Sequence, residues 1–424
     1  MINLYKHQKD ALEKIKDRNK VAIYYDMGLG KTFIGSEKLK ELNNPINLVI
    51  VQKSKVDDWM DHFKEHYDFN VYDLTNKKQF ENFLNDNSYK VGIINYDLIW
   101  RREELKKLKN FTIMLDESSL IQNESSKRTK FIMKLNATNI ILLSGTPVSG
   151  KYENLYTQAK LLNWNITKTD FWDRYVITRS IPGNGFPIKI VIGYKNIDEL
   201  KNKLREHGAI FLKTEDVLDL PEQNNVTIKC NNTKEYNDFV KNFYIKLDDK
   251  ELIGETTLTK MLYARQLASA YNQNKINALK ELIESTNDRL IIFYNFNIEL
   301  DVLKKVCKDK PLSFINGNTK DLKKYDYYNN SITLCQYQSA SKGLNLQKAN
   351  KIIYFSLPLS CENFMQSKKR IHRIGQKNNC FYYYLITKNS IDEKIFKNLE
   401  KGKDYTNFLF VEDYEKEVKT NDWN

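Results

Sequence analysis

The chain has 424 residues, with 67 Lys or Arg against 54 Asp or Glu, giving a formal net charge of +13. Its 41% hydrophobic content supports packed cores and its length two to three domains, while no run of about twenty apolar residues exists to form a membrane span. Five scattered cysteines without a C-x-x-C pair argue against a zinc ribbon or a disulfide scaffold and fit a reducing, cytoplasmic setting.

Along the chain, the polar start Met1-Ile2-Asn3-Leu4-Tyr5-Lys6-His7-Gln8 lacks the apolar stretch of a signal peptide. Short apolar runs then alternate with helical patterns, the signature of an α/β protein with parallel sheets. A first set of strands is predicted at 21–24, 47–51, 91–94, 112–115 and 140–143. A second set is predicted at 290–293, 312–315, 332–335, 351–355 and 381–385. Between them, 233–247 and 257–272 read as helices, and Pro182-Gly183-Asn184-Gly185 as a loop. The expected organisation is a first lobe over 1–150, a linking region with a mostly helical insert over 151–285, and a second lobe over 286–424. The basic balance fits a polyanionic partner, nucleic acid first, as well as it fits solubilising charge. The many Lys, Asn and Tyr residues are read mainly as AT-rich coding bias.

The strongest local signal is Tyr25-Asp26-Met27-Gly28-Leu29-Gly30-Lys31-Thr32, between a strand and a helix. Glycines let a backbone wrap a phosphate with its N–H groups inward. Lys31 supplies charge for the β- and γ-phosphates of ATP, Thr32 a hydroxyl for Mg²⁺, and the helix its positive end. Tyr25 stands where the strict pattern has its first Gly. An ATPase also needs a metal-holding carboxylate and a group that activates water. Asp116 and Glu117, directly after an apolar run, offer both at the carboxyl edge of a sheet.

These residues resemble a known family. Asp26–Thr32 looks like motif I of the Snf2-like helicases of superfamily 2, and Asp116-Glu117-Ser118-Ser119 like their motif II, with Ser119 replacing the final histidine. Leu143-Ser144-Gly145-Thr146-Pro147 resembles motif III, and Tyr5–Gln8 the upstream adenine-reading element. Residues 47–59, ending in Trp59, are similar to motif Ia. In the second half, 290–293 resembles motif IV, 339–347 motif V, and 366–376, with Arg370-Ile371-His372-Arg373-Ile374-Gly375-Gln376, motif VI. Residues 211–214 ahead of Asp219-Leu220-Pro221 look like the segment joining the two lobes. Motif V departs from the family in Ser341 and Lys342, Lys369 stands where Gly or Asp is frequent, and Leu359 where Trp is usual. The compact form is closest in style to bacterial or phage members, without room for the insertions of chromatin remodellers.

The resemblance implies two RecA-like lobes and a DNA-dependent ATPase using ATP and Mg²⁺. Gln8, Met27, Gly28, Leu29, Gly30, Lys31, Thr32, Gly343 and Gln366 are then expected at the nucleotide. Thr32 and Asp116 serve the metal, and Lys31, Asp116, Glu117, Arg370 and Arg373 catalysis. The three-residue spacing of the two arginines predicts one helical face, and guanidinium forks suit phosphate oxygens. Ser144 and Thr146 are expected to couple hydrolysis to lobe closure. Lys53, Ser54, Tyr96, Asn295 and Ser339 are candidate nucleic-acid contacts on a sequence-independent backbone grip. His372 is read as structural or coupling rather than as a metal ligand. The expected function is a translocase on mainly duplex DNA in replication, recombination or repair, with a recruiting protein partner possible and no membrane. An RNA helicase of superfamily 2 and a catalytically weak DNA clamp or recruitment protein are the alternatives.

Overall fold

Runs such as Ile46–Val51 and Leu290–Tyr294, made of β-branched, leucine and aromatic residues, suit strands covered on both faces. In the computed structural model, which describes residues 3–413 apart from 27, 146, 148–150, 182–187, 218–219, 248–249, 341–343, 407–408 and 411–412, these runs are the centres of two sheets. Met27, Thr146 and Gly343 therefore lie outside the described residues, as do Ser341 and Lys342. The chain divides into two compact units, Met1–Leu218 and Asp219–Asn424.

In the first unit the strands are β1 (Lys20–Tyr25), β2 (Ile46–Val51), β3 (Asn70–Asp73), β4 (Lys90–Asn95), β5 (Thr112–Asp116), β6 (Asn139–Leu143), β7 (Val176–Ile181), β8 (Ile188–Tyr194) and β9 (Ala209–Leu212). Seven of them form one sheet in the order β3-β4-β2-β5-β6-β1-β9, every pair parallel. Alternate residues serve opposite faces, as a pleat requires. Ala22, Tyr24, Leu48, Ile50, Ile113, Leu115 and Leu142 enter one core. Val21, Ile23, Val49, Val51, Met114, Ile141 and Leu143 enter the other. β7 and β8 pair only with each other, as an antiparallel ribbon.

In the second unit the strands are β10 (Gln223–Cys230), β11 (Tyr244–Leu247), β12 (Lys250–Ile253), β13 (Leu290–Tyr294), β14 (Leu312–Ile315), β15 (Lys320–Asp321), β16 (Ile332–Gln336), β17 (Lys351–Tyr354) and β18 (Cys380–Thr387). Its sheet runs β10-β18-β17-β13-β16-β14-β15, parallel except for the terminal β14–β15 pair. Ile291, Phe293, Ile352 and Tyr354 face one core and Leu290, Ile292, Tyr294 and Ile353 the other. Helices follow the strands as crossovers in both units, so each is an α/β lobe of the expected class.

The ten predicted strands are all present. Residues 151–285 contribute strands to both sheets. β9 completes the first sheet beside β1, and β10 the second beside β18. That region also holds both antiparallel ribbons, among helices such as Ile197–Glu206, Thr257–Leu267 and Gln273–Glu284. The helix expected over 233–247 ends at Asn242, because Phe243 turns left-handed at φ 52° and the chain enters β11. That expected over 257–272 ends at Leu267, and Asn272 instead caps the next helix, its side chain accepting from the Lys275 amide.

All five cysteines are free and buried. Burial pushes the thiols up, to about 12 for Cys307 and about 11 for Cys361 and Cys380. Among the described residues no helix is long and apolar enough to cross a membrane.

Two buried polar contacts make testable demands. Lys275 and Asp392 pair at 2.5 Å with 0% and 4% side-chain exposure, and the Asp392 carboxylate also accepts from the Thr387 amide. Lys275→Met leaves that carboxylate uncompensated and should cost about 3–5 kcal/mol in denaturant unfolding. Lys280→Met, at an exposed pair with Glu284, should change stability by less than about 0.5 kcal/mol. His62 sits against Phe33 and Trp59 with its Nε2 3.0 Å from the Ser36 hydroxyl. Burial, then the neighbouring His66, holds its pKa down at about 4. Between about 6.5 and 4 the unfolded chain binds a proton that the folded one refuses, so stability present above 6.5 is lost as pH falls. The melting temperature should drop through that window, and His62→Gln should flatten the drop.

Candidate nucleotide site and arginine cluster

The parallel register brings the expected ATPase residues of the first unit to one sheet edge. Ile23 of β1 lies beside Leu143 of β6, and Leu143 beside Asp116 of β5. Each chain then leaves its strand at the same end: β1 into the phosphate loop, β5 into Glu117, and β6 into Ser144.

The loop is tight where glycine permits it. Gly28 and Gly30 have φ of 88° and 71°, and the helix Lys31–Glu41 starts directly after. A Cβ on Gly30 would fall 2.0 Å from the Gln8 side-chain nitrogen. Gln8 itself, 3% exposed, accepts from the Tyr5 amide at 2.8 Å and donates to the Gly30 carbonyl at 3.3 Å. It thus joins the first helix to the phosphate loop, with His7 Nε2 3.1 Å from the Leu29 carbonyl in support. The Lys31 ammonium folds back onto its own loop and donates to the carbonyls of Tyr25 and Asp26 at 2.8 and 3.1 Å. Thr32 lies in the first turn of the helix and is half-buried.

Asp116 ends β5. Its carboxylate accepts from the Trp59 indole at 2.9 Å. Burial raises its pKa, against the opposing pull of Trp59, Lys31 and Lys55. Glu117 follows in the left-handed region at φ 53°, an unusual conformation for a non-glycine residue that turns the chain sharply at the strand end. Tyr96, expected to touch nucleic acid, is 2% exposed and donates its hydroxyl to the Asp116 carbonyl at 2.8 Å. That bond and its burial make it a brace for the acidic turn rather than a surface contact. Lys53 and Ser54 are exposed in a short 3-10 turn after β2.

The sequence reading gave no role to Gln158. It is fully buried, and its amide oxygen accepts from the Tyr24 hydroxyl at 2.9 Å and the Ser118 hydroxyl at 2.8 Å. Its amide nitrogen donates to the Pro147 carbonyl at 3.4 Å. One side chain thus ties β1, the acidic turn and the segment after Ser144, which is itself buried. A glutamine on a helix following an apolar run carries no local signal of this. Asp26, at the head of the loop, makes a second long-range tie. Its carboxylate accepts from the Thr214 amide and hydroxyl at 3.1 and 3.3 Å, and its amide donates to the Leu212 carbonyl at 3.0 Å.

In the second unit the helix Cys361–Lys368 stops before the arginines. Arg370 and Arg373 lie in the turns that follow, so they do not share a helical face. What gathers them is the Leu344 carbonyl, which accepts from both guanidinium groups at 3.3 Å. Gln376 holds the turns with one amide, donating to the carbonyls of Gln347, Ala349 and Ile371 and accepting from the Lys377 and Asn378 amides. Arg370 is buried, and burial lowers the pKa of Arg373. His372 Nε2 lies 2.9 Å from the Pro221 carbonyl, and among the described residues no group of three or more His, Cys, Asp or Glu could hold a metal. Gln366 donates to Glu362 at 3.0 Å. Asn295 donates to the Ser356 hydroxyl and the Leu357 carbonyl at 2.8 and 3.0 Å, a bracing role within the lobe. Ser339 is half-buried.

Comparison with known proteins follows this layout. The SNF2-related domain model matches residues 7–292, more than half the chain, and the helicase conserved C-terminal domain model matches 274–375. A SWI/SNF-related matrix-associated actin-dependent regulator of chromatin subfamily A-like protein 1 from Xenopus laevis is 25% identical over 94% of this chain and 43% of its own length. The Drosophila melanogaster protein of that name is 25% identical over 96% of this chain and 56% of its own. The ISWI chromatin-remodeling complex ATPase ISW2 of Saccharomyces cerevisiae is 25% identical over 88% of this chain and 37% of its own. The chain therefore spans roughly two fifths to just over half of these relatives. Among solved structures, the Sulfolobus solfataricus SWI2/SNF2 ATPase core in complex with dsDNA aligns over 94% of this chain and 91% of its own, at 20% identity and a TM-score of 0.45. With Lys31, the acidic pair and both arginines inside the two family matches, the chain belongs to the SNF2-related family of superfamily 2 helicase-like proteins.

Proposed function

We propose that the protein is an ATP-dependent motor that moves along DNA, mainly duplex, and remodels protein–DNA complexes or branched DNA in replication, recombination or repair. The observation that carries this reading is the meeting of the Lys31 loop with Asp116 and Glu117 at one sheet edge in a chain of this family. The relatives named for chromatin favour duplex DNA over RNA, and the net charge of +13 suits a phosphate backbone.

The residues fit ATP and Mg²⁺. The two carbonyls now holding the Lys31 ammonium are neutral acceptors that a phosphate, with full negative charge, outcompetes. Asp116, a half-buried carboxylate whose pKa desolvation raises, is the kind of group a cation relieves. Thr32 and Asp116 would hold Mg²⁺, which would supply neutralising charge at the phosphates. Glu117 orients and deprotonates the attacking water. Arg370 and Arg373 stabilise charge developing on the γ-phosphate. Gln8, through its bond to Gly30, links adenine binding to the loop. Ser144, with Thr146, and the Gln158 hub carry the change at the phosphates toward the rest of the lobe. Lys53, Ser54 and Ser339 are the proposed backbone contacts.

Lys31→Ala and Glu117→Gln should each lower DNA-stimulated ATP turnover by about 10²–10⁴-fold with unchanged melting. Stimulation of the parent by duplex DNA, single-stranded DNA and RNA, measured side by side, decides the substrate; stimulation by RNA alone would replace this reading with an RNA helicase. Gln158→Leu should retain ATP binding but lose about tenfold in DNA-stimulated kcat, the weight of one or two hydrogen bonds. A kcat equal to the parent's would remove Gln158 from the coupling path.

A further inference from the structure

The β7–β8 ribbon serves neither sheet and has no place in the ATPase chemistry. Its base is fixed to the first lobe. The Tyr194 hydroxyl donates to Glu153 at 2.6 Å, and its ring packs edge-on against Tyr152. The Lys195 amide donates to the Tyr175 carbonyl at 3.0 Å and the Asn196 side chain to the Arg174 carbonyl at 2.9 Å. Beyond that base the ribbon is open on both faces. Ile177, Thr178, Arg179 and Ser180 are successive and all exposed, where a strand packed on a layer would hide every second residue. Lys189, opposite Ser180, is exposed too.

Its charge is one-signed. Residues 176–195 contain Arg179, Lys189 and Lys195 and no Asp or Glu. Arg179 pairs across the ribbon with Ile190, and Lys189 with Ser180, so each face carries one cation. The exposed apolar residues, Ile177 and Ile192, lie near the base, beside the irregularity between Ile177 and Thr178. Farther out, the exposed side chains among the described residues are Thr178, Arg179, Ser180 and Lys189, hydroxyls and cations of the donor set for phosphate oxygens, with Ile190 and Val191 half-buried. A protein-docking surface would place apolar residues at its centre and charge at its rim.

We infer that this ribbon is a duplex-DNA contact that lies in the major groove, with Arg179 and Lys189 gripping the phosphates on either side. Two strands about 4.8 Å apart fit a groove about 12 Å wide, which admits a two-stranded ribbon, and six or seven residues at about 3.3 Å each give it a length of roughly 20 Å. The inference rests on the DNA reading above. It adds a contact outside the helicase motifs, and a reason for the motor to distinguish duplex from single strand, since only the duplex has a groove.

The test uses the full chain, with Arg179→Ala and Lys189→Ala combined. Affinity for a fluorescent duplex is measured by anisotropy across a salt series, beside a single strand of equal length. The expected result is a slope of log affinity against log salt shallower by about two for duplex, one phosphate contact per cation. The single-strand slope should be unchanged, as should the melting temperature and the DNA-free ATPase rate. A photo-crosslinking residue in place of Ser180 should label duplex DNA. If the parent binds duplex and the double variant keeps its slope, the ribbon is not the contact and the DNA reading stands. A parent that binds no duplex overturns both. Crosslinking to a second copy of the chain instead of DNA would make the ribbon a protein interface and overturn the inference.

Discussion

The first lobe depends on the parallel register of β1, β6 and β5. Because the three strands run the same way with Ile23, Leu143 and Asp116 side by side, the phosphate loop, the buried Ser144 and the acidic turn all begin at one edge. No long-range electrostatic attraction is needed to gather them; backbone hydrogen bonds and the alternation of two apolar cores do so. A slip of one residue would exchange the faces, sending Tyr24 and Leu142 into the core built for Ile23 and Leu143. Charge is then added at an edge whose geometry is already set. That is how a partly desolvated Asp116 can be tolerated near the Lys31 ammonium, which donates to two neutral carbonyls.

Much of this was legible in the sequence because it is local. The central strands are apolar runs bounded by turn residues, and the phosphate loop advertises itself through glycines followed by Lys-Thr. What escaped is what depends on the third dimension. β9 and β10 are short or polar strands at sheet edges, where only one neighbour constrains composition, so their alternation is weak. Tyr96 and Asn295 look like loop residues ready for a ligand, yet their polar atoms are used to brace neighbouring turns. The two arginines are three apart, as on a helix, but the helix ends first and a shared carbonyl sets their proximity. Gln158 bonds to groups up to 134 residues away, a relation no window of sequence contains.

The contacts of Asp26 give the phosphate loop a second attachment. Through the Leu212 carbonyl and both donors of Thr214 it is tied to the last described stretch of the first unit, a few residues before the chain enters the second. The glycine loop before Lys31 and the strand that leads toward the end of the unit are therefore one hydrogen-bonded structure. Gln158 makes a matching tie on the other side of β1. A shift in the loop strains partners in both directions, which is the local requirement for chemistry to be felt as motion.

The five cysteines have a practical consequence. Each is buried, and each thiol is pushed above its ordinary value by desolvation, so little thiolate is presented at neutral pH. The natural chain is thus nearly silent toward maleimides, and a single cysteine introduced on an exposed position of each unit would take a dye with little background. The distance between two such dyes could be followed through a catalytic cycle without first stripping the native thiols from the cores they help fill.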